Sequence, residues 1–287
     1  MACIAAIILN YNDSGTTEKL VKKIKDFKSI DKIIVVDNHS TDNSFERLSK
    51  LSNSRTDVIR TKDNKGYATG NNYGVWHAIS KYNAEYIIIA NPDVVFEENC
   101  IKEMKNTLAS INESGAITCK MTLPDGSAGI AAWKIPSFFD CIIEESFVLT
   151  RLLNYPLQYK VNSEEMLSLV EAVAGSFFMI KADVFKEIGG FDDNTFLYYE
   201  ENILAYKLKE KGYKNFCLEN ITYIHNHSVS IDKTIKNNID KFRIEYNSRK
   251  YYCKEYLKCG RIKLLFLSIM YRVGILEYVL YKQGKRT

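Results

Sequence analysis

The sequence predicts an α/β protein: a mostly parallel sheet flanked by helices, with a helical extension at its C-terminal end. Three observations predict it. Short β-branched runs alternate with stretches of apolar residues at helical spacing through the first half, the pattern of strand–helix–strand crossovers. Polar clusters follow directly after those runs, and parallel sheets bind their ligands at the carboxyl ends of strands. Beyond Lys236 the pattern is helical and rich in Lys, Arg and Tyr.

In chain order, residues 4–9, 33–37, 58–60, 86–90 and 116–120 read as buried strands, and residues 16–27, 43–51, 71–82 and 99–111 as helices. Residues 127–170, with Pro136, Pro156 and bulky aromatics, read as a loop or lid over a site. Order returns with a strand-like 171–180, then Gly189-Gly190-Phe191-Asp192 and Phe196-Leu197-Tyr198-Tyr199-Glu200-Glu201. A helix is expected from Glu200 to Lys211. Its two leading acids complement the N-terminal dipole, Lys207, Lys209 and Lys211 lie near its end, and Gly212 supplies a left-handed stop. Residues 215–218 and 222–225 read as closing strands. The expected organisation is one domain over residues 1–232 and a basic helical tail over 233–287.

Composition narrows the function classes. Hydrophobic residues at 46% and charged residues at 26% suit a globular protein with a full core. The 7 Cys are scattered, odd in number and contain no CxxC pair. That speaks against a disulfide framework or a zinc site and for a reducing, cytoplasmic compartment. The apolar start has no basic region ahead of it and runs into Asn10-Tyr11-Asn12-Asp13, so a buried strand is expected there, not a signal peptide. No uninterrupted apolar run reaches membrane-spanning length; residues 264–281 come nearest and are interrupted by Arg272 and Glu277.

The net charge of +4 hides an asymmetry: 14 Lys/Arg against 4 Asp/Glu from Lys233 onward, and 25 against 31 before it. Such a tail suits an anionic membrane surface on its inner, cytoplasmic face, with Tyr246, Arg249, Lys250, Tyr251, Tyr252, Lys254 and Tyr256 interleaving charge and aromatics. Packing of the tail on the domain, or a homodimer contact, is the other expectation. No recognition motif accompanies the charge, so no nucleic-acid partner is expected.

The polar clusters carry the chemistry. Tyr11 suits stacking on a base, while its Asn and Asp neighbours equally suit helix caps. Asp37, closing a buried strand in Val35-Val36-Asp37-Asn38-His39-Ser40-Thr41-Asp42, suits a ribose hydroxyl or base N–H that needs a charged acceptor. In Asn64-Lys65-Gly66-Tyr67-Ala68-Thr69-Gly70-Asn71-Asn72-Tyr73-Gly74, glycines at a loop-to-helix junction allow close backbone approach, and Lys65 suits a phosphate. The spacing is neither a Walker loop nor GxGxxG. In Asn91-Pro92-Asp93-Val94, Pro ends the strand and holds Asp93 at the sheet rim. A rigid carboxylate there suits a divalent ion bridging two phosphates, and an Asp in a turn after Pro is as common a reading. Glu200-Glu201 and His225-Asn226-His227-Ser228 complete the set. Paired acids usually complement a helix dipole and late His residues are usually structural. The order of the clusters favours function.

The ordered series VVDNHSTDNS, NKGYATGNNYG, NPDV, GGFDDNTFLYYEE and HNHS resembles family 2 glycosyltransferases over residues 4 to about 230, nearest to the bacterial rhamnosyltransferase-like branch. The resemblance implies a GT-A, Rossmann-like fold, a nucleotide diphosphate sugar donor, Mg²⁺ or Mn²⁺, and inversion. Within it Asp37 resembles the acid that reads base or ribose, Asp93 the metal-binding acid of a DXD-type motif, and His225 the late His that completes the metal or diphosphate site. Glu201 stands at the general base, usually Asp, and is expected to be ionised with a pKa of about 4.3. Substrate contacts then fall on Tyr11, Asp37, Lys65, Gly66, Asn71, Asn91, Asp93 and Glu200. The family branch implies dTDP-rhamnose as donor, with a UDP-sugar second, and a lipid-linked or growing surface polysaccharide as acceptor.

Two departures bear on the acceptor: Ile203 stands where the family often has a further acid, and the base is one methylene longer. Both leave a non-catalytic relative that binds membrane or partner as an alternative. A sugar nucleotidyltransferase, the other rival, wants a Gly-rich, Arg/Lys-bearing loop where Asn10-Tyr11-Asn12-Asp13 stands.

Overall fold

A computed structural model describes residues 2–153, 155, 166–226 and 237–284. Pro156, His227, Ser228 and the boundary expected between residues 232 and 233 lie outside the described residues. The elements run β1 (Ile4–Asn10), α1 (Ser14–Ile24), β2 (Lys32–Asp37), α2 (Ser44–Ser49), β3 (Thr56–Arg60), α3 (Tyr67–Tyr82), β4 (Tyr86–Ala90), β5 (Val94–Val95), α4 (Glu98–Ser110) and β6 (Ser114–Thr122). There follow β7 (Ala132–Trp133), α5 (Phe138–Ile143), α6 (Phe147–Leu152), β8 (Leu167–Val170), β9 (Ala172–Val173), β10 (Phe177–Lys181) and α7 (Ala182–Glu187). The last elements are α8 (Glu200–Glu210), β11 (Lys214–His225), α9 (Asn238–Glu255) and α10 (Arg261–Gly284).

One nine-stranded sheet has the order β3-β2-β1-β4-β10-β6-β11-β5, with β8 also paired to β11. Strands β3, β2, β1 and β4 are parallel neighbours, as are β6 and β11. The expected parallel architecture is therefore present, with β10 antiparallel between β4 and β6 and with β5 and β8 antiparallel to β11. The apolar stretch expected as one strand over 171–180 is divided: β9 pairs with β7 in a separate two-stranded sheet, and β10 enters the main sheet. Runs such as Ile33–Val36 in β2 and Ile87–Ala90 in β4 are buried along their whole length because both faces of the sheet are covered.

Helix α3 begins at Tyr67, earlier than the sequence pattern suggests, and the reason lies in its glycines. Gly66, Gly70 and Gly74 recur every fourth residue and so share one face. A Cβ at Gly70 would meet Leu9 at 2.5 Å, and one at Gly74 would meet Ile7 and Val36 at 2.6 Å. These two glycines let the helix lie directly on β1 and β2; the close approach expected toward an anion is made to the sheet instead.

The tail packs on the domain. Tyr246, Tyr252, Cys253 and Leu267 join Cys141, Tyr199 and Ile203 in a second core, and the Tyr246 and Tyr271 rings stack at 4.1 Å. Tyr246, Arg249 and Tyr252, expected at a lipid surface, are buried here. Ile203 is fully buried in that core, so the position expected to carry a further acid belongs to the packing of α8 against α9.

The apolar run carries Arg272 and Glu277 as expected, but the helix continues through both. Arg261–Gln283, whose most apolar 18-residue window has a mean hydropathy of 1.6, is long and apolar enough to cross a membrane by length and composition. Glu277 accepts hydrogen bonds from Ser146 Oγ at 2.7 Å and from the Val148 backbone N–H at 3.3 Å, so its charge is engaged by α6.

Candidate active site

A cavity of about 670 Å³ opens where the carboxyl ends of β1 and β4 meet the start of α3, the start of α8 and the end of β11. Its walls include Tyr11, Gly66, Asn91, Asp93, Glu200, Glu201 and His225, which the sequence singled out from clusters far apart in the chain.

Asp93 is held by the sheet from both sides. Val94 and Val95 of β5 pair antiparallel with His225 and Ile224 of β11. The Asp93 carbonyl accepts from the backbone N–H of Asn226 at 3.0 Å and from its Nδ2 at 3.2 Å. His225 Nε2 consequently lies 3.3 Å from Asp93 Oδ1, both side chains buried in the cavity wall. A carboxylate oxygen and an imidazole nitrogen fit one Mg²⁺ or Mn²⁺ whose remaining ligands come from phosphate and water. Among the described residues there is no group of three or more His, Cys, Asp or Glu that would enclose a metal without such outside ligands.

The acidic pair is presented by unusual backbone. Tyr198 and Tyr199 both have left-handed φ, at 68° and 69°, and Tyr199 is the N-cap of α8. Two consecutive non-glycine residues in this region cost energy that the surrounding packing must offset. Gly66 secures the same loop: a Cβ there would lie 1.9 Å from the Phe196 carbonyl oxygen, which accepts from the Tyr67 N–H at 2.9 Å.

Glu201 Oε1 accepts from the Gly175 N–H at 3.3 Å, and a Cβ on Gly175 would come within 2.8 Å of that oxygen. Tyr67 donates to the Gly175 carbonyl at 2.6 Å and pins the segment from behind. Glu200 is buried, and its Oε2 has no hydrogen-bond partner. Burial, then the charge of Glu201, pushes the Glu200 carboxyl well above the usual range. Burial raises Glu201 as well, opposed by its backbone hydrogen bonds. The expectation of an ordinary Glu201 is therefore corrected, and of the two carboxyls Glu200 holds its proton more firmly.

Three expected contacts fall outside this wall. Asp37 is wholly buried beneath it, bonded to Asn10 Nδ2, the Ser40 N–H and Ser40 Oγ, and 3.3 Å from Arg60 Nε. Its carboxylate ties β1, β2 and the following turn together, so a strand-ending acid was here a structural hub. Lys65 is exposed and pairs with Asp63 at 3.6 Å, and Asn71 is buried with its Nδ2 on the Tyr67 carbonyl.

Other residues that line the cavity were missed. Asn38, next to Asp37, bonds Asn64 and the Gly66 carbonyl; Trp133 Nε1 bonds Asn202 Oδ1 at 2.7 Å. The NKGY cluster contained the signal for Asn64 and Tyr67, whereas nothing local marks Trp133.

The family model described as "Glycosyl transferase family 2" matches residues 5–189. The low-salt glycan biosynthesis hexosyltransferase Agl10 of Haloferax volcanii is 26% identical over 226 residues, covering 79% of this chain and 68% of that protein. The N-acetylglucosaminyl-diphospho-decaprenol L-rhamnosyltransferase of Mycobacterium tuberculosis is 23% identical over 214 residues, 70% of this chain and 68% of that protein. Among solved structures, the mannosyltransferase PcManGT from Pyrobaculum calidifontis in complex with GDP-Man and Mn²⁺ superposes with a TM-score of 0.60 at 12% identity, covering 99% of this chain and 79% of its own. GalNAc-T7 with UDP, GalNAc and Mn²⁺ gives 0.58 at 16% identity, covering 80% of this chain and 45% of its own. The fold is the GT-A arrangement.

Proposed function

The chain belongs to glycosyl transferase family 2, and from that premise we propose that it transfers a sugar with inversion from a nucleotide diphosphate to an acceptor hydroxyl. The observation that carries this reading is one cavity holding a carboxylate pair, Glu200 and Glu201, together with the Asp93–His225 pair.

Donor binding falls to the strand ends: Tyr11 on the base, and Asn91 and Asp93 toward the diphosphate, with Gly66 shaping the wall between them. Asp93 and His225 would hold a Mg²⁺ or Mn²⁺, which when bound neutralises charge on the diphosphate. Glu201 takes the proton from the acceptor hydroxyl. The acceptor oxygen bonds the anomeric carbon from the face opposite the diphosphate, the bond to the phosphate oxygen breaks, and the diphosphate leaves with that electron pair. Glu200, neutral by burial, leaves a single negative charge beside the acceptor.

We take dTDP-rhamnose as the favoured donor and a UDP-sugar as second, and a lipid-linked or growing surface polysaccharide as acceptor. The rhamnosyltransferase and hexosyltransferase activities of the Mycobacterium and Haloferax relatives support a sugar transfer of this class.

Turnover with a panel of nucleotide sugars, with Mn²⁺, Mg²⁺ or excess EDTA, tests the reading. Cation-dependent release of one nucleoside diphosphate, with inversion in the product by NMR, is expected. No release from any donor would return the chain to a binding role.

A further inference from the structure

Among the described residues, α10 presents a row of exposed apolar side chains. At about 100° per residue, Ile262, Phe266, Ile269, Val273, Leu276 and Leu280 fall within an arc of about 80°. Each is between 38% and 85% exposed. The opposite face does the packing: Leu267 is buried, Tyr271 stacks on Tyr246, and Gly274 sits so close to the Glu145 carbonyl that a Cβ would lie 1.9 Å from its oxygen. A helix normally turns such a stripe toward a core; here it faces outward.

Three cations border the stripe. On the helical wheel Arg261 and Arg272 border one edge and Lys263 the other, and all three are exposed. The one acid at its edge, Glu277, is already engaged by α6, its carboxylate bonded to Ser146 and the Val148 N–H. Helix α6 therefore lies against the C-terminal half of α10. It adds exposed Phe147, Val148 and Leu152, while its Thr150 lines the cavity.

We propose that this face docks on an anionic lipid bilayer, with α10 lying along the headgroups, its stripe inserted and its bordering cations on lipid phosphates. Pairing with a second copy through the same stripe would crowd Arg261, Lys263 and Arg272 against a helix whose one acid, Glu277, is already bonded to Ser146 and the Val148 N–H. A membrane crossing would strip Leu267, Tyr271 and Gly274 from their packing on the body. A bilayer surface satisfies both the stripe and its borders. That docking brings the cavity wall at α6 to the membrane rests on the glycosyltransferase reading; the docking itself does not.

The test is co-sedimentation of the full chain with phosphatidylcholine vesicles and with an equimolar mixture of phosphatidylcholine and phosphatidylglycerol. Binding to the anionic vesicles is expected to be at least roughly tenfold tighter and to weaken with salt. Ile269→Asp/Leu276→Asp should abolish it. Arg261→Gln/Lys263→Gln/Arg272→Gln should weaken it by roughly tenfold or more. Donor hydrolysis and the thermal midpoint should stay unchanged in both variants. The triple variant alters only exposed side chains and decides the matter if the double variant misfolds. Equal binding to both vesicles, no binding, or attachment that resists alkaline carbonate overturns the proposal. So does a dimer that the double Asp variant dissociates while vesicle binding persists. Absence of donor hydrolysis in the unmodified chain, with vesicle binding intact, would instead count against the catalytic reading.

Discussion

Arg249 Nε donates to the phenolic oxygen of Tyr199 at 2.8 Å, joining α9 to the residue that caps the helix of the acidic pair. The same guanidinium lies 2.7 Å from Glu145 and from Glu245 and 3.5 Å from Glu144, and Tyr199 in turn donates to Glu144 at 3.0 Å. The end of α5, the cap of α8 and the helix α9 thus meet at one buried cation.

Removing that cation should be costly. Arg249→Met leaves three carboxylates around an uncompensated site, and a loss of about 3–5 kcal/mol is expected in denaturant unfolding. Burial already raises Glu144 and Glu145, so without Arg249 their folded pKa values climb further above the unfolded ones. The folded variant then binds more protons than the unfolded chain, and its deficit should shrink as pH falls. Arg249→Lys keeps the charge without the fork and should fall between. An unchanged midpoint in the Met variant would remove the cluster from the stability account.

Glu201→Gln keeps size and loses basicity. It should lower kcat by orders of magnitude while nucleotide binding, read by thermal shift, persists. In the unmodified protein kcat/KM should rise with pH through a value above the usual carboxylate range, because the base must be ionised and burial raises it. A rising limb at about 4.3, as for a free Glu, would contradict that environment.

Glu200 makes a prediction about stability. Its folded pKa is raised, so as pH climbs past the unfolded value the unfolded chain releases this proton first and unfolding is favoured. Glu200→Gln removes that penalty and should raise the thermal midpoint at neutral pH, with the gain vanishing toward acid. A variant less stable at pH 7 would mean that the ionised carboxylate has a partner there.

Gly175→Ala separates fold from chemistry. The new Cβ would crowd Glu201 Oε1 at 2.8 Å, and a flexible carboxylate moves more easily than the sheet. The expected result is a nearly native midpoint with a kcat lowered about tenfold or more. Full activity would show that the Glu201 position tolerates displacement.

Asp93→Asn should lose the stabilisation that a nucleoside diphosphate and Mn²⁺ produce together, with affinity reduced at least roughly tenfold. Calorimetric titration of the nucleotide with and without Mn²⁺ gives the comparison. An unimpaired variant would move the cation elsewhere in the cavity.

The parallel half of the fold was legible because each of its strands is a β-branched run followed by a helix-spaced one. The antiparallel β10 was not, since Phe177–Lys181 is apolar in either direction and only its neighbours β4 and β6 set its sense. Sequence order also singled out seven residues that line one cavity. It also singled out Asp37, whose carboxylate knits two strands and a turn; such an acid looks the same in sequence as one that meets a ligand. The tail left both of its expectations open for a similar reason. Arg and Tyr interleaved on a helix suit a wet interface, but here Arg249 finds three carboxylates and Tyr246 finds Tyr271. Apart from Glu245, one helical turn away, the partners that decide between the two lie more than 20 residues off.

The two rungs that pair Val94 and Val95 with His225 and Ile224 join segments about 130 residues apart in sequence. Along β11 the register with β6 slips between Leu218 and Thr222 before reaching them. A slip of one more residue would turn His225 to the other face of the sheet and part it from Asp93. On the proposed reading, in which Asp93 and His225 hold the donor's cation, donor affinity becomes a quality check on the polypeptide. A molecule whose last strand has not seated has Asp93 and lacks its companion, so retention on an immobilised nucleotide should sort finished molecules from unfinished ones.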